Sequence, residues 1–143
     1  MAFATSWLEK NAIFPEIIRD NPDIQTGIIV IVPAFDEPGI LTLLDSLNEC
    51  DKPDCAVEVI IIINARADSS PAEIQSNLDT VDKLQSWKKL NRSFFRLYFY
   101  NAGQPAIDNW GVGLARKTGM DEALRRFNRI DKPDGVIVSL DAD

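Results

Sequence analysis

The chain has 143 residues, of which 45% are hydrophobic and 26% are charged, and these values are ordinary for one globular domain. Its formal net charge of −7 argues against nucleic acid as a main partner, because an acidic surface repels phosphate backbones. The chain contains no histidine, which excludes serine-type catalytic triads and histidine-based zinc sites. Acid–base or metal chemistry would therefore depend on carboxylates.

The sequence shows no sign of membrane insertion or secretion. Its longest apolar runs, Ile28–Val32 and Val59–Ile63, are far shorter than the roughly 20 residues that span a bilayer. The N-terminus lacks the basic segment and apolar segment of a signal peptide. We therefore expect a cytoplasmic protein with no transmembrane segment, in which Cys50 and Cys55 are reduced thiols.

Strand and helix patterns alternate along the chain after a lead-in, residues 1–27, that we expect to be helical. The β-branched run Ile28–Val32 is typical of a strand buried on both faces, and we expect Pro33 to end it. Apolar residues at helical spacing follow from about Pro38. The later predicted elements are a strand at Val57–Ile63, a helix from Pro71 with an apolar stripe of Ile74, Leu78, Val81 and Leu84, a strand at Phe95–Tyr100, a helix at Val112–Phe127 and a strand at Val136–Leu140.

This alternation predicts an α/β fold with a mainly parallel sheet and helices on both faces. In open α/β sheets, ligands bind beyond the carboxyl ends of the strands. The polar segments that follow the predicted strands, residues 33–37, 64–68, 101–103 and 141–143, should therefore gather on one rim. We expect a binding site at this rim.

Two acids, Asp141 and Asp143, follow the last predicted strand and are separated by one residue. Mg²⁺ and Mn²⁺ commonly take one or two carboxylates together with substrate phosphates, so the pair suits a metal that bridges a diphosphate. Acids are equally common in a solvated turn between a strand and a loop. The motif by itself leaves both interpretations open.

Two further segments carry candidate binding chemistry. In residues 33–37, Phe35 offers a face to a nucleobase and Asp36 or Glu37 can accept hydrogen bonds, although acids beside a helix N-terminus are common without a ligand. In residues 111–119, glycines permit close backbone approach and the new helix offers free N–H groups to an anion, with Arg116 and Lys117 nearby. The same glycines are also consistent with tight packing of a helix on a sheet.

Together and in this order, these segments resemble family 2 glycosyltransferases with the GT-A fold, a Rossmann-like nucleotide-binding architecture. Residues 30–37 resemble the family's opening strand and its Pro-Ala-Tyr/Phe-Asn/Asp-Glu turn. Residues 58–64 resemble its second strand, 111–119 its glycine-containing helix start, and 136–143 the strand that carries its Asp-x-Asp metal motif. The resemblance covers about residues 27–143.

The resemblance implies a nucleotide-diphospho-sugar donor, often a UDP-sugar, and a divalent metal, Mn²⁺ or Mg²⁺. Asn64 would lie near the base, Arg116 and Lys117 near the diphosphate, and Asp141 near the sugar or ribose, with Asp143 as the principal metal ligand. The residues assigned in this way to the donor are Pro33, Ala34, Phe35, Asp36, Glu37, Asn64, Arg66, Gly113, Arg116, Lys117 and Asp141, and those assigned to the metal are Asp141 and Asp143.

Two positions depart from the family pattern. Residues 64–67, Asn-Ala-Arg-Ala, stand where the family has paired acids and Gly-Ser, so that the choice of base stays open, and Lys117 replaces a usual asparagine. In the family, the acceptor site and catalytic base lie downstream of the metal motif. We therefore expect 28–143 to be the nucleotide-sugar-binding part of a longer enzyme, with no assigned base and an unknown acceptor. It should transfer no sugar alone and should self-associate through an exposed apolar face.

Three other functions are compatible with the same residues. A phosphatase of the haloacid dehalogenase kind also carries Asp-x-Asp after a strand, although that motif usually opens the domain. A non-catalytic nucleotide-binding or interaction module would need no base. A dinucleotide-binding domain ranks last, because the glycine spacing in 111–119 differs from Gly-x-Gly-x-x-Gly and the segment does not follow a strand directly.

Overall fold

A computed structural model of the chain describes residues 2–90 and 93–142. The strands are β1 (Thr26–Ala34), β2 (Ala56–Ile63), β3 (Arg96–Asn101) and β4 (Val136–Ser139), and the helices are α1 (Thr5–Asn11), α2 (Ile40–Asn48), α3 (Pro71–Lys89) and α4 (Val112–Arg129). The alternating order of strands and helices is the one expected from the sequence.

Within the described residues, the strands form one parallel sheet in the order β3-β2-β1-β4. The chain adds β2 and β3 on one side of β1 and then crosses by α4 to place β4 on the other side. The direction in which strands are added therefore reverses between β1 and β4. The predicted α/β fold with a parallel sheet is confirmed.

Helices cover both faces of this sheet and form two apolar cores. On one face, Val30 and Val32 of β1 pack in a cluster with Leu44 of α2 and Leu84 of α3. On the other face, alternate β1 residues such as Ile29 pack in a second cluster that includes Phe127 of α4. Because β1 and β2 are central and buried on both faces, they are almost entirely aliphatic rather than alternating.

Proline does not end the first strand as the sequence pattern predicted, because β1 continues through Pro33 to Ala34. The carbonyl of Ile31 accepts a hydrogen bond from the Leu140 N–H, on the β4 side of β1. Directions along a strand repeat every two residues, so the backbone of residue 33 also points towards the β4 side. Strand β4 ends at Ser139 and pairs no further than Ile31, so that no ladder donor is needed at Pro33. The start of α2 also differs from the prediction, because this helix begins at Ile40 rather than at Pro38.

Helix α3 begins at Pro71 as predicted, and its N-terminus carries a complete capping box between Ser70 and Glu73. The predicted apolar stripe is partly wrong, because Leu78 is 47% exposed. The buried residues of α3 are Leu84, which belongs to the predicted stripe, and Asn77 and Thr80, which do not. Hydrogen bonds satisfy the two polar side chains, which permits their burial in place of leucine.

The N-terminal lead-in is helical only in α1, and β1 begins at Thr26, within the expected lead-in. The stretch between α1 and β1 lies along α4 and hydrogen-bonds to its acidic side chains. The N–H groups of Ile17 and Ile18 donate to the carboxylate of Glu122, which is fully buried. No helix in residues 2–90 or 93–142 has both the length and the apolar character needed to cross a membrane.

A buried ion pair lies near the amino end of β2. Arg126 of α4 donates hydrogen bonds of 2.5 and 2.8 Å to the two carboxylate oxygens of Glu58, and each side chain is 1% exposed. The guanidinium also lies 4.7 Å from the ring centroid of Tyr98. Burial by itself would lower the pKa of Arg126, but hydrogen bonding and the charge of Glu58 outweigh it and raise that pKa. The guanidinium therefore stays charged, and its two hydrogen bonds to Glu58 tie α4 to the sheet.

Candidate functional site

A cleft of about 360 Å³ opens at the carboxyl ends of β1 and β4, where the direction of strand addition reverses. In open parallel sheets this is the position at which ligands bind, because the loops that leave the two strands diverge there. We call it the switch-point cleft. Its lining residues are Pro33, Ala34, Phe35, Glu37, Asn64, Arg66, Gly111, Val112, Asp141 and Ala142.

The cleft brings together most of the residues that the sequence assigned to a donor site. Pro33, Ala34, Phe35, Glu37, Asn64, Arg66 and Asp141 all line it. Gly111, Val112 and Ala142 also line it without having been assigned, although they stand within the glycine segment and the Asp-Ala-Asp motif. Of the assigned residues that the structure describes, Asp36, Gly113, Arg116 and Lys117 do not line it.

The loop that follows β1 reverses sharply at Asp36, which has a φ of 49°, in the left-handed region. Its two neighbours, Phe35 and Glu37, both line the cleft, whereas Asp36 does not. The N–H of Asp36 donates a 2.9 Å hydrogen bond to Oδ1 of Asn77 in α3. The structure therefore gives Asp36 a role in shaping the loop, and its assignment as a ligand contact stays a prediction.

Asn64, at the end of β2, is 4% exposed, and its side chain is held by protein groups. Its Nδ2 donates to the carbonyls of Ala34 (3.2 Å) and Ile62 (3.3 Å), and its Oδ1 accepts from the indole N–H of Trp110 (3.2 Å). Both amide hydrogens are therefore used within the protein. At this position the amide forms part of the cleft floor, and only a remaining acceptor lone pair is left for a ligand.

Arg66 is held by its backbone and presents its side chain outward. Its N–H donates to Oγ of Ser69, and its carbonyl accepts from Nε2 of Gln104 at 3.0 Å. The side chain is 67% exposed, and the carboxylate of Asp68 lies 3.8 Å from its Nε. A cation on a fixed backbone at the edge of the cleft is suited to an anionic or hydrogen-bond-accepting ligand.

The N-terminus of α4 forms the wall of the cleft opposite β1. Helix α4 begins after Gly111 without a side-chain cap, so the N–H groups of its first turn have no intrahelical partner. A Cβ added at Gly111 or Gly113 would meet nothing within 4 Å, and Gly111 has extended backbone (φ −176°) that any residue adopts. Neither packing nor conformation requires glycine there, which leaves space for a ligand to approach the backbone.

Gly119, in the same segment, has a different reason to be glycine. A Cβ at this position would lie 3.1 Å from Cβ of Ile31, closer than most Cβ contacts. The packing explanation of the glycine pattern therefore holds for Gly119. The ligand explanation stays available for Gly111 and Gly113.

Of the two adjacent cations in α4, neither lines the cleft, but Arg116 contacts a residue that does. Its Nη2 donates a 2.7 Å hydrogen bond to Oδ1 of Asp141. Lys117 instead donates to the carbonyl of Asn11 and to Asp121, and its Nζ lies 5.0 Å from the ring of Trp7. The structure thus directs Lys117 towards α1, away from the predicted diphosphate site, because adjacent helical residues point about 100° apart.

Within the described part of the chain, Asp141 is one of the two acids that line this cleft, the other being Glu37. The Asp141 side chain is 70% exposed and one carboxylate oxygen is occupied by Arg116. Asp143 lies outside the described residues. Among residues 2–90 and 93–142, no three acids or cysteines converge as a metal-binding group. One accessible carboxylate is still compatible with Mg²⁺ or Mn²⁺, since these ions can take a single protein carboxylate when substrate phosphates supply further oxygens.

Comparisons of this chain with protein-family models, with curated proteins and with solved structures found no match. The functional interpretation therefore depends on the geometry and chemistry of the cleft.

Proposed function

We propose that this chain binds a nucleoside-diphosphate sugar in the switch-point cleft and serves as the donor-binding part of a family 2-type glycosyltransferase. The observation that carries the proposal is the convergence of three distant segments on one cleft where β1 and β4 diverge, through residues 33–35 and 37, 111–112 and 141–142. These are the segments on which the sequence resemblance depends. Their chemistry is complementary to the parts of such a donor.

The diphosphate is best accommodated at the α4 wall of the cleft. Unpaired N–H groups of a helix N-terminus favour anions, and the open backbone at Gly111 and Gly113 lets phosphate oxygens come close. Arg116 adds a positive charge beside this wall. In a chain of net charge −7, such local cationic and N–H groups are needed to attract a diphosphate.

The nucleoside is best accommodated at the β1 side of the cleft. Pro33 and Phe35 supply apolar surface, and an aromatic ring can stack on a base. Arg66 supplies an exposed cation at the end of β2. Both amide hydrogens of Asn64 are used within the protein, so they cannot donate to a nucleobase. Other groups must therefore determine which nucleobase binds.

Asp141, together with Asp143, would hold the divalent metal, which would supply positive charge to a leaving diphosphate. Arg116 holds Asp141 at the edge of the cleft and orients that carboxylate. We assign no catalytic base and no acceptor, so the proposal concerns donor binding by this chain.

Calorimetric titration with UDP, GDP and NAD, each with and without Mn²⁺, tests the proposal. We expect a nucleoside diphosphate to bind more tightly with Mn²⁺, and Arg116→Gln to weaken it by about tenfold, the loss expected for a hydrogen bond to a charged group. Arg129→Gln is the matched control, because Arg129 carries the same charge at the opposite end of α4 and pairs with Glu16. Asp141→Asn should reduce the effect of Mn²⁺, since one of the two carboxylates that would hold the metal is lost.

The same titrations separate the alternatives. A nucleotide affinity that changes neither with Mn²⁺ nor in Asp141→Asn would favour a non-catalytic nucleotide-binding module. Preference for NAD would favour a dinucleotide-binding domain, and hydrolysis of an aryl phosphate that Asp141→Asn abolishes would favour a phosphatase. If no nucleotide binds at millimolar concentration, the proposal is wrong.

A further inference from the structure

We infer that Asn77, a buried residue of α3 outside the cleft, is a positioning residue that sets the shape of the nucleotide site. This inference rests on the proposed function. Asn77 is 4% exposed and does not line the switch-point cleft. It nevertheless hydrogen-bonds to two segments that do, and through them reaches a third.

Asn77 joins the end of β1 to the end of β2 by two hydrogen bonds of 2.9 Å. Its Oδ1 accepts from the backbone N–H of Asp36, and its Nδ2 donates to the backbone carbonyl of Asn64. One amide side chain thus uses both its acceptor and its donor on the loops that follow neighbouring strands. Only an amide supplies this combination in a neutral side chain of that length.

The network continues from Asn64 to the segment that precedes α4. The side chain of Asn64 accepts from the indole N–H of Trp110, which is 6% exposed and adjacent to the cleft-lining Gly111. The backbone N–H of Asn64 also donates to the Ala34 carbonyl at 3.0 Å. The β1–α2 loop, the β2 terminus and the start of α4 are therefore linked through a chain of two buried amides and one indole.

The contact at Asp36 determines which conformation the β1–α2 loop adopts. The φ of 49° at Asp36 is a conformation that non-glycine residues rarely adopt, although aspartate enters it more readily than most. It persists only where surrounding contacts stabilise it. The hydrogen bond that the Asp36 N–H donates to Asn77 is such a contact, and it holds the bend that sets Phe35 and Glu37 along the cleft.

Removing Asn77 should therefore reduce nucleotide affinity without removing any ligand contact. A loop that occupies its binding conformation for only part of the time weakens apparent affinity by that fraction. Releasing a strained residue should lower that fraction, and we expect Asn77→Ala to weaken nucleoside-diphosphate binding about tenfold. Asn77→Asp keeps an acceptor for the Asp36 N–H but loses the donor to Asn64, so it should weaken binding less.

Thr80→Ala is the matched control for a purely structural effect. Thr80 is on the same helix and 2% exposed, but its hydroxyl donates to the carbonyl of Ser76 within α3. We expect Thr80→Ala to lower stability while leaving nucleotide affinity within about twofold of the original protein, since its bond is local to the helix. All affinities are measured by calorimetry with UDP and GDP at a temperature well below each variant's unfolding midpoint.

A second measurement tests the network without any ligand. The indole N–H of Trp110 gives an NMR signal whose hydrogen exchange reports its bond to Asn64, and the indole of Trp87, which donates to Asp45, reports the integrity of α3. Asn77→Ala should accelerate exchange at Trp110 and at the Asp36 amide and leave Trp87 unchanged. Thr80→Ala should leave the Trp110 and Asp36 signals unchanged.

The outcomes separate this inference from the proposed function. If the original protein binds no nucleotide, the proposed function fails, and the exchange measurement still decides whether Asn77 holds the loop. If nucleotides bind and Asn77→Ala binds them as tightly as Thr80→Ala does, the positioning role is refuted. Unchanged exchange at Trp110 and Asp36 in Asn77→Ala would refute it as well.

Discussion

Replacing Asn64 by aspartate exchanges one amide nitrogen for an oxygen and preserves the shape of the side chain. The substitution therefore tests whether this residue faces a ligand or the protein interior. In the structure, Nδ2 of Asn64 donates to the carbonyls of Ala34 and Ile62. A carboxylate in the same place would direct a negatively charged oxygen at two carbonyl oxygens, while its other oxygen could still accept from Trp110.

The expected cost follows from these contacts and from burial. Two net hydrogen bonds are lost, at about 1 kcal/mol each, and the desolvation of a carboxylate that keeps one donor adds a further 1–3 kcal/mol or so. The Ala34 carbonyl keeps its bond from the Asn64 N–H, which limits the loss. We expect Asn64→Asp to lower the free energy of unfolding by about 3–5 kcal/mol, and the melting temperature by about 10 °C.

Thermal unfolding followed by circular dichroism at several pH values checks this prediction. Burial should raise the pKa of the introduced carboxyl in the folded state above its unfolded value of about 3.9. The folded state then prefers the protonated form, so the deficit in melting temperature should shrink as the pH falls from 7 to 4. The control is Asn101→Asp, where an exposed side chain keeps its acceptor role towards the Gly103 N–H and little change is expected.

An Asn64→Asp variant that melts within about 1 °C of the original protein at pH 7, with no pH dependence, would refute this reasoning. The side chain would then face solvent in the cleft.

Two glycines of the 111–119 segment should respond in opposite ways to enlargement. Gly113→Ala fills open space and should stabilise the protein by up to about 1 kcal/mol in urea unfolding while weakening nucleotide binding, and unchanged binding would show that no ligand approaches there. Gly119→Val would press on Ile31 and should cost about 1–3 kcal/mol in the same assay, with a neutral result contradicting the close packing of α4 on β1. Arg126→Met leaves the buried carboxylate of Glu58 unpaired and should lower the free energy of unfolding by about 3–5 kcal/mol. Adding Glu58→Leu should restore part of that stability. If the double variant is no more stable than Arg126→Met, the unpaired charge is not the cause of the loss.

The sequence pattern was sufficient to predict the fold class because the signals concerned are local. Central strands such as β2 are almost entirely aliphatic, and the start of α3 carries a capping box and a proline. These patterns depend on burial and backbone hydrogen bonding within a few residues. The rule that ligands bind at the carboxyl ends of parallel strands then located the rim on which segments 33–37, 64–66 and 141–142 do gather.

Side-chain direction was not predictable in the same way. Lys117 and Arg116 are adjacent cations in one motif, yet Lys117 contacts α1 and Arg116 contacts Asp141. The difference depends on how α4 is rotated on the sheet, and contacts distant in sequence determine that rotation. The expected burial of Leu78 is wrong for the same reason. The rotation of α3 on the sheet places Asn77 and Thr80 inward instead.

The sequence by itself determined that this chain forms a parallel α/β sheet with a polar rim, because strand burial and helix capping are local effects of residue type. Only the tertiary structure decided which rim residues share a cleft and which ones are used by the protein itself. Asn64 illustrates the limit, because its three side-chain partners, Ala34, Ile62 and Trp110, lie as far as 46 residues away along the chain. Hydrogen bonds across such separations form only after the elements pack, so a single sequence carries no local signal for them.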